Sequence, residues 1–104
     1  MSQPMLSIGR GVIVEMARLA ALEVPGVLRV ARAGPTWRVF FLGPAVAVRT
    51  HDDRVDIRMW VIARPGTDLA SVSRDVRGAI AGAVERLLGL HLASVTVIVD
   101  GIGG

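Results

Sequence analysis

One short run in this sequence sets an imidazole beside two carboxylates: His51-Asp52-Asp53. Such groups within reach of one another can move a proton, and they offer the donor types that hold a divalent cation. Consecutive side chains do not converge on one point, however, and Asp-Asp between two apolar runs is what a tight turn requires. The turn reading is preferred. His91 stands alone after a helix end, where a cation suits the carbonyl end of the dipole. With two distant histidines and no cysteine, neither a zinc site nor any other cofactor is expected. Ser71, Ser73 and Ser94 fall in no nucleophile motif. Gly9-Arg10-Gly11 precedes a helix but lacks the further glycine and the preceding strand of a phosphate-binding loop. Gly101-Ile102-Gly103-Gly104 has the GxxG spacing of an RNA-gripping loop, which joins two helices, whereas here it follows a strand. No constellation supports an enzyme.

What must position these residues is one small domain. The 104 residues are 52% hydrophobic and 20% charged, so a packed core is expected and disorder is not. Folding a chain of this length buries roughly 65% of the surface the unfolded form exposes. Met1 to Ile8 has neither the basic start nor the apolar run of a secretory signal. Arg18, Arg38 and Arg49 interrupt the weakly charged stretches, leaving none near the ~20 apolar residues of a membrane span. A cytoplasmic location is therefore expected. All twelve basic residues are arginine, and the net charge is +3. That charge is spread along the chain rather than gathered in a stripe, so it reads as a solvated surface, and nucleic acid is not the expected partner.

Residues 1–9 read as a flexible tail, 10–102 as the domain and 103–104 as its end. Ile13, Met16, Ala17, Ala20, Ala21 and Val24 share one helical stripe, and Pro25-Gly26 stops that helix. Val27 to Ala33 has the character of a short strand. Gly34 to Pro44 reads as a loop between two Gly-Pro pairs. Ala45 to Thr50 and Arg54 to Ala63 alternate with period two and pair as a hairpin across Asp52-Asp53. In that register Thr50 faces Val55, Val48 faces Ile57, Val46 faces Met59, and Arg49 faces Asp56. Asp68 or Thr67 caps a second helix, whose stripe is Leu69, Val72, Val76, Ile80, Ala83 and Leu87 and which Gly89 closes. Val95 to Val99 is the last strand. The order α-(β)-β-β-α-β predicts a two-layer α+β (α/β) sandwich. Its small mixed sheet of three to four strands carries two helices on one face, and the last strand returns parallel to a hairpin strand.

That register turns Val55, Ile57, Met59 and Val61 to the helices and Arg58, Trp60 and Ile62 away from them, with Ala47 and Ile98 alongside. A tryptophan and two isoleucines among arginines on an open sheet face have the composition of a contact surface. The other reading is that Trp60 lies under the 37–42 segment; both stay open. Trp37, Phe40 and Phe41, three of the four aromatic residues, sit in that segment. They suit anchors for a protein partner or a membrane surface. Packing of the segment on its own domain as an extra edge strand is the preferred expectation.

The run from Gly11 to Val27, ending Val-Pro-Gly-Val, is similar to the opening helix and turn of the alkaline shock protein family of bacterial envelope stress response proteins. Arg54 to Gly66 resembles that family's central strand and glycine turn. Val84 to Gly101, with Leu88-Gly89-Leu90 and Val95-Thr-Val-Ile-Val-Asp-Gly101, resembles its closing helix and strand. The resemblance spans about residues 9–102 and rests on hydrophobic and turn patterns. It implies a non-enzymatic cytoplasmic protein of envelope homeostasis that self-associates into homo-oligomers and, in some members, lies beneath the membrane through a membrane-anchored protein partner. It carries no catalytic residues. The 34–44 segment is more aromatic than the family pattern, and the charged tails of longer members are missing. The alternative reading is a small nucleic-acid-binding module using arginine and tryptophan on the open sheet face.

Overall fold

The computed structural model describes residues 9–35, 37–52 and 54–103. The tail expected over residues 1–9 lies, apart from Gly9, outside the described residues, as do Asp53 and Gly104. The elements run α1 (Arg10–Leu22), β1 (Val27–Val30), α2 (Trp37–Leu42), β2 (Val46–His51), β3 (Arg54–Ala63), α3 (Leu69–Leu87) and β4 (His91–Ile102).

β3 is the spine of a four-stranded sheet. β2 pairs antiparallel with its first half in the expected register, Val46 opposite Met59, Val48 opposite Ile57, Arg49 opposite Asp56 and Thr50 opposite Val55. β1 pairs antiparallel with its second half, Val30 opposite Val61 and Val27 opposite Ala63. β1 and β2 therefore lie end to end along one edge of β3. On the opposite edge β4 runs parallel to β3 for its whole length, from Arg54 opposite His91 to Ala63 opposite Ile102. A parallel return needs a crossover, which α3 supplies.

The alternation of β3 decides which face is core. Val55, Ile57, Met59 and Val61 are buried and meet Ile13, Ala17, Ala20 and Ala21 of α1 and Val72, Val76, Ile80, Ala83 and Val84 of α3. The small residues of α1 let that helix approach closely, while α3 brings the larger branched ones. Val84, not Leu87, completes the buried stripe of α3, and Leu69 and Leu87 at its ends are exposed.

Local chemistry fixes the ends of α3. Asp68 caps it, one carboxylate oxygen accepting from the Ala70 N–H at 3.2 Å and the other from the Ser71 hydroxyl at 2.8 Å. The Ser71 hydroxyl first, and then the Ala70 N–H, hold the Asp68 carboxyl below its ordinary value. At the other end Gly89 has φ +67°, a conformation that only glycine adopts at no steric cost. α1 is capped more simply: Gly9 is extended and offers no side chain.

Two expectations are corrected. The 37–42 segment is neither loop nor edge strand but a short helix, α2, so the described residues hold three helices, of which two line the core. β4 is twelve residues long, where the last strand was expected over Val95 to Val99 only, and Gly103 N–H still donates to Ala63 O at 2.9 Å. Pro25 and Gly26 form the turn after α1, as expected, and Gly26 has no positive φ. Its constraint is space, since a Cβ there would come within 2.5 Å of Val72 Cγ2 where the end of α1 passes α3.

Candidate functional site

The face of the sheet opposite the helices is where the sequence placed its contact residues, and the structure divides that face in two. At one end Trp60 and Ile98 are register partners and both are half-buried. Ile62 is a correction: it is 3% exposed and unavailable to any partner in this fold. Gly101 and Gly103 lie beside it, with Ala33 and Leu28 close by, so the chain's own segments cover it. The chain is tied there, because Ala33 N–H donates to Asp100 Oδ2 at 2.7 Å.

Trp60 is the junction of the sheet. Its N–H donates to Ala45 O at 2.8 Å and its carbonyl accepts from Ala31 N–H at 3.0 Å. Both ends of the excursion that carries α2 are thus fastened to one residue, at the point where β1 gives way to β2. Arg32 completes the fastening. Its guanidinium lies 3.6 Å from the centre of the Trp60 ring, its Nε donates to Gly43 O at 2.9 Å, and its Nη2 donates to Leu42 O at 2.8 Å. The two carbonyls belong to the last turn and exit of α2, where a cation is favoured on electrostatic grounds. Gly34 and Gly43, both with positive φ near +95°, let the chain leave and re-enter sharply.

The effect is to present α2 rather than bury it. Trp37, Phe40 and Phe41 are 58%, 86% and 79% exposed, and the Trp37 and Phe41 rings meet edge to face with centroids 6.0 Å apart. The expected packing of this segment on its own domain does not occur. Trp60 is instead half-covered by a cation.

The other end of the open face is polar. Arg58 and Arg49 are exposed, and Asp56 accepts from the Ser94 hydroxyl at 2.6 Å. Between this end and α2 lies an open depression of about 660 Å³ with Arg10, Arg32, Arg49 and Arg58 in its walls, Asp56 as the acid among them, and Leu42 and Pro44 at the α2 side. Arg32 is the residue that sequence reasoning missed. A single arginine after a short strand carries no local signal, and its role exists only because β1 and β2 abut at Trp60.

The residues considered for acid–base work stay apart from all of this. His51 Nε2 is 3.8 Å from Asp52 Oδ2 on the exposed hairpin tip. Asp52 has φ +56°, a turn conformation that aspartate tolerates. Among the described residues no three His, Asp or Glu side chains gather closely enough to hold a metal. No helix among them is long and apolar enough to cross a membrane.

Solved structures share the fold at low sequence identity. A MamM CTD in its zinc form has a TM-score of 0.66 at 16% identity, covering 90% of this chain and 87% of that one. A manganese form gives 0.65 at 18%, with 89% and 99% covered. A histidine-to-alanine variant gives 0.67 at 16%, with 91% and 100% covered. These likenesses establish the two-layer mixed fold alone. No curated protein matches the chain. Residues 2–103 match the model of a family described by a cell envelope-related function. The chain belongs to that family, the alkaline shock protein 23 family.

Proposed function

We propose that the protein is a non-enzymatic component of the envelope stress response that works by self-association and protein binding, in the cytoplasm and next to the membrane through a membrane-anchored protein partner. The observation that carries self-association is the free edge of β4. Its twelve residues pair with β3 on one side, and among the described residues no strand covers the other. A long edge is a template for another strand, and proteins that stay monomeric blunt it with lysine, proline or a bulge in mid-strand. β4 has no lysine, arginine or proline, and its register with β3 is regular from Ser94 to Val99.

That run is self-complementary. In an antiparallel pair centred on Val97, Thr96 faces Ile98 of the second copy and Val95 faces Val99, each pair on one face. The half-exposed Val95, Val97 and Val99 would then continue the core side across both sheets. This edge replaces the Trp60 face as the proposed assembly surface, since Arg32 already engages that tryptophan.

Sedimentation equilibrium between about 1 and 100 µM tests the reading. A dimer or larger species is expected, dissociated by the double variant Thr96→Lys/Ile98→Lys, which sets like charges opposite one another. A wild-type chain that stays monomeric throughout this range would sink it, as would a double variant of wild-type mass with an unchanged far-UV spectrum.

A further inference from the structure

We propose that α2 and the arginine-walled depression beside it form a contact site for the surface of an anionic lipid bilayer, so that the domain touches the membrane directly. Two independent features of one end of the molecule carry this. The first is shape. Phe40 and Phe41 stand almost fully exposed on a short helix projecting from the sheet edge, with Trp37 and Leu42 also exposed. An apolar contact between folded proteins is usually flat or sunk in a pocket. A convex aromatic tip needs a shaped recess in a protein partner, whereas the boundary between headgroups and acyl chains accepts it without one. Tryptophan beside phenylalanine is also the composition that suits that boundary.

The second feature is charge. Arg10, Arg32, Arg49 and Arg58 line the adjoining depression against the single carboxylate of Asp56, and the Ser94 hydroxyl already engages that carboxylate. Four guanidinium groups to one carboxylate gather into one depression a positive charge as large as the +3 of the whole chain, and phosphate headgroups complement it. The two features share a mechanical link. Arg32 holds the α2 exit through the Leu42 and Gly43 carbonyls, so the aromatic tip keeps a fixed place at the rim of the basic depression. Insertion of the rings and approach of the headgroups to the arginines then happen together. Neither is sufficient alone, since a few exposed rings or a few surface cations each give weak membrane attachment.

The test uses the full chain and vesicles of phosphatidylglycerol and phosphatidylcholine in equal parts, with pure phosphatidylcholine as control. Co-sedimentation with the mixed vesicles is expected, weakening as salt rises. Phe40→Ser/Phe41→Ser should weaken it roughly tenfold or more, because two rings lose their apolar transfer. Arg49→Ser/Arg58→Ser should weaken it by roughly 25-fold, from about fivefold per arginine near a charged surface. Both pairs are exposed, so melting temperatures should stay at the wild-type value, which separates lost binding from lost folding. Brominated acyl chains should quench the fluorescence of Trp37, read in a Trp60→Phe background.

Absence of binding to the mixed vesicles at low salt overturns the proposal. So does equal binding to pure phosphatidylcholine, or full-strength binding by the Phe40→Ser/Phe41→Ser variant, which would reduce the effect to bulk charge attraction. Preference for single-stranded oligonucleotide over vesicles at the same salt, lost with the arginine pair, would assign the depression to nucleic acid instead. Self-association is read by sedimentation of the wild-type chain without vesicles, and lipid binding by the Phe40→Ser/Phe41→Ser variant, whose rings lie on α2 and not on β4, so the two failures are distinguished.

Discussion

Replacing Arg32 by alanine removes three contacts that converge on one guanidinium, and their sizes can be set individually. The bond from Nε to Gly43 O is partly buried and charge-assisted, which nets about 1.5 kcal/mol. The bond from Nη2 to Leu42 O is exposed to water and contributes about 0.5 kcal/mol. Stacking on the half-buried Trp60 ring adds roughly 0.5–1 kcal/mol. Against these stands the ordering of a long side chain, which costs roughly 0.5–1 kcal/mol that the variant recovers. The net loss is therefore about 2 kcal/mol, equivalent to a melting temperature lower by roughly 10 °C in a domain of this size. Urea unfolding followed by far-UV circular dichroism measures it, with an unchanged slope expected because the surface exposed on unfolding is the same. Near-UV circular dichroism should lose intensity as well, since the Trp60 ring is released, and the 34–44 segment should become the first site of proteolysis. Arg32→Lys should recover less than half of the loss, because an ammonium cannot stack on the indole while donating in two directions. A loss below about 0.5 kcal/mol for Arg32→Ala, with the segment still resistant to protease, would refute the view that this arginine fastens α2.

Gly26→Ala should destabilise by about 1–3 kcal/mol in urea unfolding, because its Cβ would overlap the buried Val72 side chain; wild-type stability would remove the steric account of that glycine. Asp68 carries a pH signature. Its folded-state carboxyl is held below the unfolded value, so its contribution is present above the ordinary carboxylate range and is lost as pH falls through the folded value. The melting temperature of Asp68→Ala should accordingly lie below wild type at neutral pH and converge with it in acid, below about pH 4. Asp68→Asn keeps the cap without the charge and should show a flatter acid limb. Parallel acid limbs for wild type and Asp68→Asn would contradict this.

The residues differ in how much of their role could be read in advance. The hairpin register was legible down to single pairs, because period-two alternation fixes which residues face the core and two separate matches, Val48 with Ile57 and Arg49 with Asp56, agree on one offset. The cap of α3 was legible for a different reason, as an aspartate bonding to the N–H two residues on is a contact made within one turn. The aromatic segment was misread. Its composition suits an edge strand, and the seven residues between two Gly-Pro pairs contain no period that separates strand from helix.

What the sequence determined by itself was the set of elements that local periodicity and turn chemistry specify: both long helices, the hairpin, the face of β3 that enters the core, and the family to which those patterns belong. Tertiary structure alone decided which parts of the other face stay open. Ile62 follows the same alternation as Trp60 and Arg58, yet Leu28, Ala33 and the last glycines come from distant stretches of chain to cover it. The same meeting of β1 and β2 at Trp60 brings Arg32 onto the indole and turns α2 outward. Contacts between residues far apart in the chain depend on how strands abut in space, and no local pattern encodes that.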